Sequence, residues 1–256
     1  MTTPAGPLVT TVADGVARLA WMPGENVDVV RRAVAEALTT HHRVEVHLDP
    51  ADERAQRTAA FSGLQREGVM RGVTVDGRPV DRVVYGRVVT DAPTHEPEAF
   101  RAMLNSVLPR KRAIAQMLLR DERDRVLICN LTYKADWDLP GGVVEVNESP
   151  ALAVGREVKE ELALSVPTGA LLLTDWLPPW SGWDDAVCLV FDGGVHPRTL
   201  VDEIVPQARE IKGYAFSTLE EVDRRCADFT ARRIRAALAR TRGEGEGYAE
   251  SGRPLG

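Results

Sequence analysis

The second half of the chain carries three glutamates whose spacing concentrates negative charge in one place. Glu157, Glu160 and Glu161 stand at positions i, i+3 and i+4, so they share one face if the segment is helical. Carboxylates at this spacing repel one another. A hard divalent cation such as Mg²⁺ prefers carboxylate oxygens and completes its coordination with water. The cluster therefore indicates a metal site, with a solvated acidic helix face as the alternative.

The residues around the cluster predict the helix that such a site needs. Ser149 is a favourable N-cap and Pro150 suits the first helical position, which predicts a helix over residues 150–162. Arg156 lies four positions before Glu160 and can hold that carboxylate in place. This arginine offsets part of the repulsion, and a bound cation would offset the rest.

A loop of small residues precedes the helix and suits chemistry on a phosphate. Pro140, Gly141 and Gly142 lack bulk, so their backbone can approach a metal or a phosphate, and a glycine carbonyl can act as a further ligand. Mg²⁺ neutralises phosphate oxygens, orients a polyanionic substrate and lowers the pKa of a bound water. A carboxylate can then take the proton of that water. Loop and helix together predict cleavage of a diphosphate.

The whole segment resembles the Nudix box. That box is a glycine, five residues, a glutamate, seven residues and then Arg-Glu-U-x-Glu-Glu-x-Gly-U, where U is aliphatic. The matching positions are Gly142, Glu148, Arg156, Glu157, Val158, Glu160, Glu161 and Leu164. Ala163 departs from the family, which has glycine there. In a left-handed conformation an alanine costs roughly 1 kcal/mol more than a glycine, so the end of the helix is in question.

The resemblance implies roles for the matching residues. Glu157 and Glu161 are the leading ligands of Mg²⁺, for which Mn²⁺ is a substitute, and the carbonyl of Gly142 is a further ligand. Glu160 is a third ligand or a neighbour bridged by water, and Arg156 orients it. Glu157, Arg156 and Glu160 are thus the expected catalytic residues.

The general base is expected in one of two places. The resemblance implies Glu157 on the box helix as the first choice, with Asp184 or Asp185 as the alternative in a later loop. Spacing does not decide between them, because a base must lie within hydrogen-bond reach of the attacking water.

Aromatic residues near the box predict the substrate pocket. Trp180 and Trp183 lie in a loop rich in proline and glycine, where an exposed indole can stack on a base or a sugar. The alternative is that they pack against the sheet or form a subunit contact. Tyr133, Trp137 and Glu148 are further substrate-binding candidates, and Glu148 also suits a tie between loop and helix or a contact to a metal. The diphosphate itself stays open.

The apolar segments predict an α/β (α+β) protein. The resemblance covers about residues 110–240 and implies the Nudix α/β/α sandwich with a mixed sheet, placed at 111–242. Strands are predicted near 112–120, 125–130, 169–176, 186–192 and 211–216, with a last helix over 228–240. The glycines and glutamates from Gly243 onward predict a flexible tail over 243–256.

The first ninety residues predict the order β-α-β-α-β-β, followed by a break over 91–97 with two prolines. Residues 49–52, 63–71, 76–77, 81 and 85 resemble the C-terminal half of a GNAT acetyltransferase. The other half of that family is missing, and its pyrophosphate loop is reduced to residues 23–26. We interpret residues 1–93 as a degenerate, structural half-domain and 94–110 as a linker with a connecting helix. A free sheet edge favours association, which predicts a homodimer.

Composition restricts the class of protein further. The 256 residues carry a formal net charge of −6, which argues against a nucleic-acid partner. The chain has no apolar run that could span a bilayer, and its N-terminus lacks the pattern of a signal peptide. Its three cysteines form no Cys-x-x-Cys pair, which is typical of reduced thiols in a cytoplasmic protein. The expected partner is a small-molecule diphosphate.

Three functions follow from these observations. An active Nudix hydrolase is the first, because the box keeps its carboxylates. A Nudix-fold protein that binds a nucleotide or regulates without turnover is the second, and it has no need of every carboxylate. An acetyltransferase is the third, and it lacks the run of amide donors at a helix N-terminus that would anchor coenzyme A.

Overall fold

The computed structural model describes residues 6–255. The chain divides into two compact units, Met1–Pro109 and Arg110–Gly256. The strands of the first unit are β1 (Leu8–Ala13), β2 (Val16–Ala20), β3 (Arg43–Leu48), β4 (Gln65–Val75) and β5 (Arg78–Val88). Its helices are α1 (Val27–Ala37), α2 (Glu53–Phe61) and α3 (Pro97–Val107). In the described residues no helix is long and apolar enough to cross a bilayer.

The first unit is a five-stranded mixed sheet in the order β1-β2-β3-β5-β4. Strands β2 and β3 are parallel and the other neighbours are antiparallel. The predicted order β-α-β-α-β-β is confirmed from β2 to β5, with β1 as an additional strand. Met103, Leu104 and Val107 of α3 pack into this unit's core. The helix expected in a linker over 94–110 is therefore part of the first unit.

The second unit contains a seven-stranded mixed sheet. Its strands are β6 (Arg112–Asp121), β7 (Val126–Leu131), β8 (Gly141–Val143), β9 (Leu171–Leu177), β10 (Ala186–His196), β11 (Ile211–Ser217) and β12 (Tyr248–Glu250). Its helices are α4 (Pro150–Leu162), α5 (Leu219–Arg225) and α6 (Asp228–Thr241), with a 3₁₀ helix at Arg198–Glu203. The strand order is β11-β7-β6-β10-β9-β12, and β8 pairs with β6.

Alternation along the strands places a helical layer on each face of this sheet. Met117 and Leu119 of β6 belong to the core that includes Val154 and Val158 of α4. The intervening Leu118 belongs to the core formed with α6. Successive side chains of a strand point to opposite faces, so an apolar run such as β6 is buried on both. The mixed α+β fold with helices on either side of a mixed sheet is confirmed.

The C-terminal segment differs from the flexible tail predicted over 243–256. Strand β12 pairs in parallel with β9, Ala249 is buried, and the backbone N–H of Gly252 donates to Asp175 at 2.8 Å. Backbone hydrogen bonds hold this segment, and they are independent of side-chain type. Its glycine-rich and charged composition therefore gave no sign of the strand.

The box helix ends at the residue that departs from the family pattern. Ala163 adopts a left-handed conformation with φ 58° and ψ 18°, and its N–H donates to the carbonyl of Lys159. The helix therefore ends in the conformation that glycine favours at this position, although alanine carries a Cβ that disfavours it.

Ala163→Gly is expected to stabilise the protein by about 0.5–1 kcal/mol, because the relief of the left-handed strain exceeds the extra chain entropy of glycine in the unfolded state. Urea unfolding of the two proteins measures the difference. Ala151→Gly, at an exposed position inside the same helix, is the matched control and should lose about 1 kcal/mol. A loss of stability in both variants would contradict the prediction.

Candidate active site

Helix α4 positions the glutamates through its cap and its buried face. The Ser149 hydroxyl accepts a hydrogen bond from the backbone N–H of Leu152, and Pro150 occupies the first turn. The residues buried on its inner face are Ala153, Val154, Val158 and Leu162. Because these residues fix the rotation of the helix, Glu157 and Glu161 are directed toward strand β8 and the loop before it.

The glycine loop is packed so closely that side chains are excluded. A Cβ on Gly141, whose φ is +135°, would lie 2.2 Å from the carbonyl oxygen of Ala115. A Cβ on Gly142 would lie 2.5 Å from the carboxyl carbon of Glu157. The close approach expected of this loop is therefore present, and the group that approaches Gly142 is a carboxylate of the box helix.

Arg156 joins three of the box carboxylates. Its Nε and Nη2 donate to the two carboxylate oxygens of Glu148, both at 2.9 Å. Its Nη1 donates to Glu157 at 2.9 Å and to Glu160 at 3.0 Å. The forked guanidinium is suited to such bidentate pairing. Arg156 meets Glu160 as expected, and Glu148 ties the loop to the helix through this arginine.

Glu161 is the most buried of the acidic side chains of the box. It is 3% exposed, and one of its oxygens accepts a hydrogen bond from the N–H of Gly141 at 3.0 Å. Burial, together with the charge of Glu157, raises the pKa of Glu161 to about 8. The hydrogen bond from Gly141 lowers this pKa but does not offset the rise. Burial also raises the pKa of Glu157, although Arg156 opposes the shift.

The three glutamates of the box helix do not converge on one point in this arrangement. In the part of the chain that the structure describes, no group of three or more His, Cys, Asp or Glu side chains surrounds a common point that could hold a metal ion. Glu157 and Glu161 both reach the glycine loop, whereas Glu160 is 60% exposed and turned to Arg156. Two carboxylates thus lie at the glycine loop, and carboxylate oxygens fit a hard cation.

A fourth carboxylate near the cluster was not recognised from the sequence. The charge of Glu210 contributes to the raised pKa values of Glu157 and Glu161. Its backbone carbonyl accepts a hydrogen bond from the N–H of Thr132 at 2.8 Å, which holds it beside the end of β7. An acidic residue directly before a strand is the only sequence signal, and many surface residues share it.

Tyr133 lies close to the carboxylates, as expected of a pocket wall. Its side chain is exposed, yet its pKa is raised to about 12 by partial burial and by the negative charges of Glu161, Asp138 and Glu210. Trp137 lies elsewhere. Its ring contacts Arg225 at 4.8 Å and packs against the core beneath α6, so the structure does not bring it to the box helix.

The loop between β9 and β10 presents two exposed tryptophans. Trp180 and Trp183 exchange backbone hydrogen bonds and are 55% and 57% exposed, so packing against the sheet does not bury them. The Trp180 ring meets the edge of Phe229 at 5.5 Å. The guanidinium of Arg112 lies 4.8 Å from the centre of the Trp183 ring. These contacts orient both indoles while leaving much of each ring accessible.

Both loop aspartates contact positive groups, Asp185 through its carboxylate and Asp184 through its backbone carbonyl. Asp185 pairs with Lys111 and accepts from the indole N–H of Trp176 at 3.3 Å. The hydrogen bond from Lys111 lowers the pKa of Asp185, which disfavours it as a base at neutral pH. The backbone carbonyl of Asp184 accepts from Arg112 at 2.6 Å.

Comparison with known proteins gives one curated relative and several solved structures. A MutT-like protein of Streptomyces ambofaciens is 36% identical over 59 residues, which are 23% of this chain and 38% of that protein. The crystal structure of a MutT protein from Methanosarcina mazei Go1 shares 22% identity, with a TM-score of 0.43, over 53% of this chain and 97% of its own. An ADP-ribose pyrophosphatase from Streptococcus suis shares 21% identity, with a TM-score of 0.42, over 55% of this chain and 99% of its own.

A family model described as a NUDIX domain matches residues 109–238, just over half of the 256 residues. The match contains the glycine loop, the box helix and the tryptophan loop. It begins at Pro109, the last residue of the first unit, so the resemblance of residues 1–93 to half of a GNAT acetyltransferase stays a prediction. By the extent of this match, the chain belongs to the Nudix family.

Proposed function

We propose that the chain is a Mg²⁺-dependent hydrolase that cleaves the diphosphate linkage of a nucleoside diphosphate joined to another moiety, with Mn²⁺ as a substitute. One observation carries the proposal: Glu157 and Glu161 both meet the backbone of the Gly141–Gly142 loop while Arg156 pairs with Glu157. Oxygen donors on a rigid loop and helix suit a hard cation.

The roles of the residues follow from their positions. When bound, the cation neutralises phosphate oxygens and lowers the pKa of the attacking water. Glu157 and Glu161 would hold it together with the carbonyl of Gly142, and Glu157 would take the proton of the water. Arg156 fixes the side chain of Glu157. Glu160, which is more exposed, contributes through a bridging water.

The substrate side of the proposal rests on the tryptophan loop. Trp180 and Trp183 expose indole rings that can stack on a base or a sugar, with Tyr133 near the carboxylates. An aromatic surface separated from an anionic metal site suits a molecule with a planar group at one end and a diphosphate at the other. A nucleoside diphosphate derivative has both features.

The proposal is tested with a panel of nucleoside triphosphates, nucleotide sugars, ADP-ribose, dinucleoside polyphosphates and capped RNA, each with Mg²⁺ and with Mn²⁺. Reactions in ¹⁸O-labelled water show which phosphorus is attacked. Metal-dependent release of a nucleoside monophosphate or of pyrophosphate is the expected result. Tight binding of nucleotides with no turnover on any substrate would instead favour a binding or regulatory protein.

Trp180→Ala is expected to raise KM about 10-fold with little change in kcat, because base stacking contributes about 1–3 kcal/mol and acts on ground state and transition state alike. Steady-state kinetics on the best substrate of the panel measures this split. Phe100→Ala is the matched control, since Phe100 is 55% exposed like Trp180 but lies on α3 in the first unit. Equal KM values for Trp180→Ala and the wild type would remove the stacking role.

Two further parts of the proposal concern the setting of the enzyme. Cys129, Cys188 and Cys226 are all buried and form no disulfide, which supports a reducing compartment such as the cytoplasm. We also propose that the protein is a homodimer assembled through the first unit.

A further inference from the structure

Strand β1 is exposed on both of its faces. All six of its residues, Leu8–Ala13, are exposed, and they include Leu8, Val9 and Val12, which are 61%, 41% and 41% exposed. It is the first strand of its sheet and pairs with β2 alone among residues 6–255. An unpaired edge presents backbone N–H and C=O groups to any strand that can approach.

The opposite edge of the same sheet carries the features that prevent such pairing. Strand β4 has two register shifts, at Arg66/Gly68 and at Met70/Val73, and it includes the charged residues Arg66, Glu67 and Arg71. Bulges and charges are the usual means of protecting an edge. Within one sheet, therefore, one edge is protected against a further strand.

Strand β1 lacks this protection. It contains no charged side chain, and four of its six residues are β-branched: Val9, Thr10, Thr11 and Val12. Its single register shift falls between Thr11 and Ala13, next to the turn into β2, so Leu8–Thr11 is regular. A flat, uncharged and β-branched edge favours the addition of a strand.

We propose that β1 pairs with β1 of a second copy of this chain, antiparallel, so that the two five-stranded sheets continue across a two-fold axis. An axis normal to the sheet brings a strand beside its own copy in the antiparallel direction. It also places identical residues close together, so any charge near the axis would meet its own copy. The absence of charge in Leu8–Ala13 is therefore what self-pairing requires.

The neighbouring strand does not oppose this contact. Arg18 of β2 lies across from Thr10 and is paired with Glu45 at 2.7 Å. Its charge is thus compensated within one chain. Strand β1 has no charged side chain through which it could recognise a strand of another protein. Pairing with a second copy of β1 requires no such charge, so the second copy is the favoured occupant.

The sequence also selects the register. A two-fold axis at Thr10 sets Thr10 opposite its own copy, Val9 opposite Thr11 and Leu8 opposite Val12. An axis at Val9 would bring Pro7, which has no N–H, into the ladder opposite Thr11. An axis at Thr11 would place Val12, which lies at the register shift, directly beside the axis and opposite Thr10. The axis at Thr10 keeps the three central pairs within regular Leu8–Thr11 and sets the exposed apolar Leu8 and Val12 opposite each other at the two ends of the ladder.

The first test is the mass of the full chain by light scattering and by sedimentation over a range of concentrations. The wild type is expected to be a dimer. Thr10→Glu should weaken it at least about 100-fold, since like charges then face each other at the axis. The same substitution remains compatible with the single chain, because Arg18 lies across from it. Thr74→Glu, exposed on β4, is the matched control and should stay dimeric.

The second test examines the register by oxidising variants that each carry one added cysteine. Directly opposed strand residues have Cα atoms about 4.5–5.5 Å apart, within the range of a disulfide. Thr10→Cys should therefore form a covalent dimer, and Thr11→Cys, offset from its own copy, should not. The native cysteines are all buried and do not compete. A monomeric wild type, a dimer that survives Thr10→Glu, or cross-linking at Thr11 in place of Thr10 would overturn the proposal. None of these results depends on diphosphate hydrolysis.

Discussion

Replacing Glu161 with glutamine is expected to lower kcat/KM by about 10³-fold while making the metal-free protein more stable at alkaline pH. The loss follows from the weaker hold on a cation that supplies several kcal/mol of transition-state stabilisation, at about 1.4 kcal/mol for each tenfold change in rate. The gain in stability follows because Glu161 is 3% exposed beside other acidic groups, so that its charged form is costly to bury. Opposite changes in activity and stability are typical of a functional site.

The three glutamates of the cluster should differ in their effects. Glu157 and Glu161 meet the glycine loop, whereas Glu160 is 60% exposed and held by Arg156. Glu160→Gln is therefore expected to lower kcat/KM about 10-fold, the lower end of the range for a supporting residue around a metal site. Glu220→Gln on α5, at an 84% exposed position, is the control with no effect. Equal losses from Glu160 and Glu161 would contradict this ranking.

The pH dependence of stability gives a second readout. The folded-state pKa of Glu161 is about 8, above the ordinary value of 4.5, so folding favours its protonated form. The stabilising contribution of that form is complete below pH 4.5 and is lost as the pH rises through 8. Glutamine resembles the protonated acid at every pH, so the variant should lack this decline.

Urea unfolding in the presence of a chelator, at pH 6 and at pH 9, measures the difference. The wild type should lose stability between these values relative to Glu161→Gln, and added Mg²⁺ should restore it in the wild type more than in the variant. If the variant is less stable than the wild type at pH 9, burial of the charged carboxylate is not the dominant effect.

The sequence predicted the parts of the site that depend on local spacing. The helix over 150–162 follows from Ser149, Pro150 and an apolar face, and all of these are read from neighbouring positions. The contact of Arg156 with Glu160 is likewise a matter of helical spacing. The α+β class and most strands of the second unit follow from the alternation of apolar segments.

The parts that could not be predicted depend on long-range contacts. Glu210 is far from the box in sequence, and only the pairing of β11 with β7 brings it to the carboxylates. Trp137 was expected in the pocket because it precedes the box, yet its ring faces Arg225. Proximity in sequence does not determine which face of a sheet a side chain occupies, because a shift of one position along the strand turns the side chain to the opposite face. Strand β12 depends on backbone pairing and has almost no side-chain signal.

A buried charge network in the second unit is another feature without a sequence signal. Arg233 of α6 is 1% exposed; its Nε donates to Asp175 of β9 at 2.7 Å and its Nη1 to Gln116 of β6 at 3.0 Å. Gln116 in turn donates to Asp138 at 2.9 Å, directly before the glycine loop. From the sequence, Arg233 is no different from Arg232 and Arg235 of the same helix, which are only partly buried.

Arg233→Met is expected to destabilise the second unit by about 3–5 kcal/mol, because it leaves a buried carboxylate without its cation. Asp175 is 0% exposed and would retain only the N–H of Gly252 as a described partner. The loss is a large part of the about 5–15 kcal/mol that a domain has in total. Arg233→Lys keeps the charge but cannot reach two acceptors as a fork, so it should lose less.

A double-mutant cycle separates the unpaired charge from the loss of packing. Asp175→Asn keeps an acceptor for Gly252 and removes the charge, so the double variant Arg233→Met/Asp175→Asn should recover much of the stability lost in Arg233→Met alone. Urea unfolding of the four proteins gives the coupling free energy. If the two losses simply add, Arg233 acts through packing alone. If they couple as expected, then the charge of Arg233 holds together β6, β9 and the C-terminal segment, on the sheet face opposite the box helix.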